Sequence, residues 1–216
     1  FVSNKLGLDN LILLNKQKTV KFDHLSSKDF FEKVSGYDTL RLILCKKAIL
    51  VEGDSDELVL QRAYRDNNND KLPIEDEVEI ISVGTSFLRF LEIAECLEIP
   101  VKVVTDNDGD LESLKRKYKN YLGKNKKSNI EICYEEKIHT GPLPIGKDNK
   151  PFNYNTLEPA LLRANSLEKL NSIFDTKYET EDSLLKYMKS NKTDCALKIF
   201  SSQDKINYPE FIMRAL

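Results

Sequence analysis

The chain has 216 residues, with 33 lysines and arginines against 35 aspartates and glutamates, which leaves a formal net charge of −2. This balance excludes a broadly basic nucleic-acid-binding protein, so a nucleic acid could be held only by local basic patches or by metal ions. The length and a hydrophobic fraction of 40% predict a globular chain that can bury a core without disulfide or metal staples.

The four cysteines are widely spaced, and none belongs to the Cys-x-x-Cys pair of a structural zinc site. We therefore expect buried free thiols in a protein of the reducing cytoplasm. The apolar runs are short and interrupted by charge, which predicts that the chain does not cross a membrane. The sequence begins at Phe1 without a basic and then apolar leader, which we interpret as a fragment rather than a secreted protein.

Predicted strands and helices alternate through the first two thirds of the chain. In order, the apolar pattern predicts a helix at 38–45, a strand at 48–51, a helix from about 55, a strand at 79–83, a helix at 87–97, a strand at 101–105, a lysine-rich helix and a strand at 130–134. Such alternation predicts a mostly parallel sheet flanked by helices, whose ligands collect at the carboxyl ends of the strands.

The remaining third predicts a loop followed by helices. Residues 139–155 are rich in proline and glycine and should form the loop. A helix then begins near Thr156, with Asn155 or Thr156 as its cap and Pro159 in its first turn. Several short helices are expected to continue to Leu216, as a C-terminal helical extension of the α/β fold.

An acidic turn, residues 51–56, follows the first buried strand of the predicted sheet. Gly53 permits a tight turn there, and Ser55 or Asp56 would open the next helix as an ordinary cap. Capping does not explain Glu52, because a carboxylate at the end of a buried strand is costly unless it is paired or bound to a metal.

A second acidic turn, residues 105–110, follows the third strand and carries carboxylates at alternating positions. These carboxylates repel one another unless a cation lies among them, although a solvated acidic turn remains an alternative. An EF-hand is excluded, since the twelfth position counted from Asp106 is Lys117 instead of glutamate. The alternation would place Asp106 and Asp108 on the same side of the chain.

Taken together, the two turns resemble the Toprim signature, in which a strand and Glu-Gly-x-x-Asp are followed by another strand and Asp-x-Asp-x-Asp. Toprim domains occur in topoisomerases, bacterial primases, some RNA maturases and the nucleases of the overcoming-lysogenization-defect (OLD) family. The resemblance implies that divalent metal is held at the strand ends by four residues, Glu52, Asp56, Asp106 and Asp108.

Three segments favour the OLD branch of these proteins. Residues 49–58 are similar to the opening motif of that family, and residues 155–162 to a later segment in which Glu158 would be a further acidic ligand. Residues 191–197 are similar to the downstream lysine segment, which favours Lys192 as the catalytic lysine.

Other parts of the sequence bear on the same resemblance. Residues 1–11 are similar to the stretch that follows the ATPase domain of OLD nucleases, whereas Gly84-Thr85 departs from the Gly-Gly pair often found in that loop. Three further lysines compete with Lys192 for the catalytic role, namely Lys186, Lys189 and Lys198.

Carboxylate ligands without nearby histidine or cysteine suit Mg²⁺ or Mn²⁺. By the resemblance, two ions would be bound, the first by Glu52, Asp56 and Asp106. Asp106 would bridge to the second ion, which Asp108 and Glu158 would also hold. Such a pair of ions can activate water and stabilise the charge that develops during phosphodiester cleavage.

Lys192 would then neutralise the scissile phosphate or protonate the leaving oxygen, and Asp110 would contribute from outside direct coordination. The implied domain organisation has an ATPase remnant and linker helix at 1–47, a Toprim catalytic core at 48–165 and a helical extension at 166–216.

The implied function is that of a cytoplasmic, metal-dependent DNA endonuclease. The chain has no phosphate-binding loop of the Gly-x-x-x-x-Gly-Lys-[Ser/Thr] type, so ATP would act only through an absent upstream domain, which would also mediate homo-oligomerisation. Gabija-type anti-phage nucleases share this layout, which suggests a defence role and a helicase-like partner.

The basic segment 115–127 contains seven lysines and arginines, with Tyr118 and Tyr121 interleaved. DNA contact and a solvated helix face explain this segment equally well. His139 is expected in an exposed loop, and His24 has no predicted role.

Two other classes of function remain open at the level of sequence. One is another Toprim chemistry, such as topoisomerase strand transfer or primase synthesis. The other is a non-catalytic Toprim module that binds DNA or a protein partner.

Overall fold

The computed structural model describes residues 12–15, 18–22, 25, 36–143 and 152–216. The segment 1–11, His24 and part of the predicted loop therefore lie outside the described residues. The strands are β1 (Ile12–Asn15), β2 (Lys18–Lys21), β3 (Lys47–Val51), β4 (Val78–Ser82), β5 (Val101–Val104) and β6 (Ile130–Cys133). The helices are α1 (Gly36–Leu44), α2 (Asp54–Asn67), α3 (Phe87–Leu97), α4 (Leu111–Lys117), α5 (Leu157–Ala164), α6 (Leu167–Phe174), α7 (Glu181–Ser190), α8 (Lys192–Ser201) and α9 (Glu210–Met213), with short 3₁₀ turns at Pro73–Asp76 and Gly123–Asn125.

Strands β3 to β6 form one sheet in the order β4-β3-β5-β6, and all three of its strand pairs are parallel. The predicted parallel α/β sheet is thus confirmed. The chain passes from β3 to β4 on one side and then returns to place β5 on the other side of β3. Ligands of open α/β sheets bind at this kind of reversal, outside the carboxyl ends of the strands.

Helices cover both faces of the sheet, because successive residues of a strand point to opposite sides. On β3, Ile49 and Val51 belong to one core while Ala48 and Leu50 belong to the other, and all four are fully buried. The first core is completed by α2 and α5 to α9, and the second by α1, α3 and α4.

The C-terminal helices share the core of α2. Arg62 of α2, which is 6% exposed, donates to the carbonyl oxygens of Ile199, Ser202 and Asp204 at the end of α8 and just beyond it. A buried guanidinium that bonds three carbonyl oxygens joins α8 and the residues after it to α2. This packing carries the start of α8 to the carboxyl edge of the sheet, where the acidic turns lie.

All four cysteines are free thiols; Cys133 and Cys195 are buried, and Cys45 and Cys96 are partly exposed. No helix in the described ranges is long and apolar enough to cross a membrane.

Candidate metal centre

The first acidic turn is fixed by its backbone. Gly53 caps α2, and its N–H donates to Asp56 Oδ2 at 2.9 Å. The carbonyl oxygen of Glu52 accepts from Gly84 N–H at 3.0 Å and from the Ser82 hydroxyl at 3.3 Å. These bonds join the turn after β3 to the residues after β4, and the Glu52 side chain is left exposed.

The second acidic turn is clamped by Asn107, which is 2% exposed. Its amide donates to the carbonyl oxygens of Glu135 and Lys137, at 2.7 and 3.0 Å, and its Oδ1 accepts from Gly109 N–H at 2.9 Å. Asp108 adopts a left-handed conformation with φ of 50°. The asparagine between the two predicted ligands therefore holds the turn against the segment that follows β6.

The outer aspartates of this turn have different partners. Asp108 is exposed, and its Oδ1 accepts from Asn153 Nδ2 at 2.8 Å. Asp110 Oδ1 accepts from Ser113 N–H at 2.9 Å and so caps α4. The predicted contribution of Asp110 from outside direct coordination stays a prediction, and the observed hydrogen bond of its carboxylate is to the first turn of α4.

Glu158 lies in the first turn of α5 and is only 4% exposed. Thr156 occupies the cap position of α5, as predicted, but its hydroxyl donates to Glu158 Oε2 at 2.9 Å and makes no capping hydrogen bond. Lys192 Nζ lies 3.0 Å from Glu158 Oε1. Lys189 Nζ lies 3.7 Å from Glu158 Oε2 and donates to the Thr156 hydroxyl at 3.0 Å.

The contacts of the four lysines distinguish them as candidates for the catalytic role. Lys192 and Lys189 both reach Glu158. Lys198 donates to the carbonyl oxygen of Phe174 at 2.7 Å, and Lys186 is exposed on α7. The sequence favoured Lys192 alone and missed the contact of Lys189.

Five carboxylates, which we call the edge carboxylates, are close enough to influence one another: Glu52, Asp56, Asp106, Asp108 and Glu158. Burial raises the pKa of Asp106 well above its usual value, and the charges of all four other members add to this effect. Burial also raises the pKa of Asp56 to about 6, against the hydrogen bond from Gly53 N–H, with help from the charges of Glu158 and Glu52. Such shifts arise where carboxylates are buried close to one another.

Lys192 is the basic member of this group. Partial burial acts to lower its pKa, but attraction to Glu158, Asp106 and Asp56 outweighs burial and raises the pKa. The structure thus brings all six side chains that were predicted as catalytic or metal-binding into one electrostatic cluster.

The donor set is chemically suited to Mg²⁺ or Mn²⁺, since every side chain that could coordinate offers carboxylate oxygens. Within the described ranges, no three His, Cys, Asp or Glu side chains are arranged closely enough to hold a metal ion as they stand. The edge carboxylates instead have protein donors as partners: Gly53 N–H for Asp56, Asn153 for Asp108, and two lysines for Glu158. A bound cation would have to replace some of these contacts.

The basic segment 115–127 does not present aromatic faces to solvent. Tyr118 is fully buried and Tyr121 is 7% exposed, so both are core residues. The Nζ atom of Lys117 lies 5.0 Å from the centroid of the Phe87 ring. His139 is partly exposed, and its Nε2 lies 3.7 Å from Glu135.

Comparisons with known proteins relate both the sequence and the fold of this chain to OLD proteins. Residues 43–108 match the family model described as "Overcoming lysogenization defect protein-like, TOPRIM domain", a range that contains the first acidic turn and the second as far as Asp108. No curated relative matches the sequence.

Solved structures of the C-terminal region of the OLD protein from Xanthomonas campestris pv. campestris are similar to this chain. The structure phased with platinum has a TM-score of 0.53 and 20% sequence identity, and covers 81% of this chain and 92% of that one. The structure phased with iodine has a TM-score of 0.53 and 22% identity, with 80% and 92% covered. We conclude that residues 43–108 match the OLD-like TOPRIM family model, and that the chain has a fold similar to that of the C-terminal region of an OLD protein.

Proposed function

We propose that this protein is a divalent-metal-dependent DNA endonuclease that hydrolyses phosphodiester bonds at the edge carboxylates. The proposal is supported by one observation: five carboxylates from separate parts of the chain lie at the carboxyl edge of the sheet, where burial and then the charges of the other four raise the pKa of Asp106. Such a cluster is stabilised by cations, and divalent cations are the usual means of cleaving phosphodiesters.

In this proposal, Glu52, Asp56 and Asp106 hold one ion, and Asp106 also contributes to a second site with Asp108 and Glu158. When bound, Mg²⁺ or Mn²⁺ would supply a Lewis acid and an activated water molecule. Glu158 is the least exposed of these carboxylates, at 4%, and lies in the first turn of α5.

Lys192 serves the substrate in this proposal. Its side chain is 48% exposed, so its ammonium group can reach a phosphate that approaches from solvent. A lysine at this position neutralises negative charge on the phosphate or donates a proton to the leaving oxygen. The basic segment 115–127 follows the second acidic turn and would attract the DNA backbone by charge alone.

The wider setting is also proposed from the likeness to OLD proteins. The chain would be the nuclease part, with a core at 48–165 and an extension at 166–216, of a cytoplasmic ATPase-nuclease. ATP would act through an ATPase domain joined to the segment 1–47, and this domain would form the homo-oligomer. Anti-phage defence together with a helicase-like protein is the role that fits such a layout.

One observation favours a second candidate, a non-catalytic Toprim module that binds DNA or a protein. No three potential ligands among the described residues are arranged to hold a metal as they stand. In that case the lysines at Glu158 would be permanent partners of the carboxylate and would not be displaced by metal.

Plasmid nicking in Mg²⁺ or Mn²⁺ tests the proposal. We expect Asp106→Asn and Glu52→Gln to reduce cleavage at least about 1,000-fold, because a transition-state contribution of roughly 4 kcal/mol is lost in each case. Asp54→Asn is the matched control, since Asp54 is an exposed acid of the same helical turn as Asp56, outside the edge carboxylates. Undiminished cleavage by a folded Asp106→Asn variant would exclude this site, and a covalent protein–DNA adduct would indicate a topoisomerase.

A further inference from the structure

We propose that Glu158 exchanges a lysine for a divalent cation, and that this exchange releases Lys192 toward the substrate phosphate while Lys189 stays in place. The inference rests on the proposed function, because it takes the edge carboxylates as the metal site. It adds a coupling between metal binding and the availability of the catalytic lysine.

Both oxygens of Glu158 already have partners. Oε1 lies 3.0 Å from Lys192 Nζ, and Oε2 accepts from the Thr156 hydroxyl at 2.9 Å and lies 3.7 Å from Lys189 Nζ. The residue is 4% exposed, so its charge depends on these neighbours and little on water. A divalent cation at the same carboxylate would lie within a few ångströms of both ammonium groups, and such like charges repel strongly away from bulk solvent.

The two lysines differ in how firmly they are held. The Lys189 side chain is 25% exposed, donates to the Thr156 hydroxyl at 3.0 Å, and has its Nζ 5.9 Å from the centroid of the Phe152 ring. The Lys192 side chain is 48% exposed, and Glu158 is its direct ion-pair partner among the described residues. Lys192 can therefore leave for solvent at less cost than Lys189.

Metal binding would weaken the hold on Lys192 at more than one point. Besides Glu158, the carboxylates of Asp106 and Asp56 attract Lys192 through space. A cation bound among these carboxylates would cancel part of their negative charge, so all three attractions for Lys192 would weaken together. Without metal the ammonium is turned to Glu158, and with metal it is available for a phosphate.

The exchange can be followed without measuring cleavage. The full chain is acetylated with an amine-reactive ester at one fixed pH, with and without saturating Mn²⁺, and the rate at each lysine is read by mass spectrometry. We expect Mn²⁺ to raise the Lys192 rate about threefold or more, because an amine that has left its buried carboxylate partner for solvent is more accessible to the reagent. The rate at Lys189 should stay constant, as should that of Lys186, an exposed lysine on α7.

Glu158→Gln is the matched variant for this experiment. Its Lys192 should react rapidly without metal and gain little when Mn²⁺ is added. A wild-type Lys192 rate that stays unchanged or falls while calorimetry shows Mn²⁺ binding would overturn the exchange alone. A flat Mn²⁺ titration would overturn the exchange together with the proposed function.

Discussion

Two groups of acidic side chains lie close together in this molecule, and they are neutralised differently. In the first, which we call the Arg41 cluster, the Arg41 guanidinium contacts Glu79 at 2.9 Å, Glu57 at 3.2 Å and Asp38 at 3.3 Å. In the edge carboxylates, Glu158 alone has a lysine within ion-pairing distance among the described residues. The two groups meet at adjacent positions of α2, since Glu57 belongs to the first and Asp56 to the second.

The contrast separates acids that an internal guanidinium neutralises from the acids that we propose as metal ligands. Every carboxylate of the Arg41 cluster touches the guanidinium; burial acts to lower the pKa of Arg41, yet Glu79 and Glu57 outweigh it and raise the pKa. Asp56 and Asp106 instead have their own pKa raised by burial and by other carboxylates. The first cluster needs no ligand to balance its charge, whereas we expect the second to gain stability from an added cation.

Removal of the Arg41 guanidinium from the Arg41 cluster should have the largest effect on stability. Arg41→Met leaves three partly buried carboxylates facing one another, so we expect a loss of about 3 kcal/mol from the free energy of unfolding. Urea denaturation in EDTA measures this loss. Arg116→Met on the exposed face of α4 is the control and should change stability by less than about 0.5 kcal/mol. Equal losses in the two variants would contradict the structural role of the Arg41 cluster.

Removal of the Asp56 charge from the edge carboxylates should instead raise stability. Because the folded-state pKa of Asp56 is raised to about 6, the folded protein holds this proton at pH values where the unfolded chain has released it. The resulting stabilisation is present below about pH 4 and is lost as the pH rises through about 6.

Asp56→Asn stays neutral and should not lose this stabilisation. In EDTA the variant should gain on the order of 1–2 kcal/mol relative to wild type between pH 4 and pH 7.5. Paired urea titrations at several pH values provide the measurement. If the free energies of unfolding of the two proteins depended on pH in the same way, the raised pKa of Asp56 would be contradicted.

The smallest effect is expected at Asp110. Asp110→Ala removes a helix cap and should cost about 1 kcal/mol of stability while leaving metal-dependent cleavage unchanged. Asp108→Ala, two residues earlier, should instead reduce cleavage with little change in stability. Thermal denaturation and plasmid nicking on both variants distinguish the two roles, and a loss of cleavage in Asp110→Ala would return Asp110 to the site.

The sheet could be predicted because its signals are local. Apolar strands such as Lys47–Val51 alternate with amphipathic helices, and this pattern depends on chain neighbours alone. The strand order was not accessible in this way, because it depends on which strand edges meet in three dimensions. The acidic residues after β3 and β5 could be placed together since parallel strands end at one edge.

The parts of the site that escaped prediction are set by long-range packing. Nothing in the sequence near Lys189 indicates that it contacts Thr156, because that contact depends on how α7 packs against α5. Asn107 is a similar case: it lies between two predicted ligands, but its clamp is formed with carbonyl groups beyond β6. Asp110 is a further case, since its hydrogen bond to the first turn of α4 depends on the residue at which that helix begins.

Calorimetric titration of the metal-free chain with Mn²⁺ tests the central claim most directly. We predict saturable binding in wild type, loss of that binding in Asp106→Asn and its retention in Asp54→Asn. When the free Mn²⁺ concentration is 100 times the dissociation constant, binding should also raise the free energy of unfolding by about 2.7 kcal/mol. A flat titration of the folded wild-type chain would contradict the claim and favour a Toprim module without a metal centre.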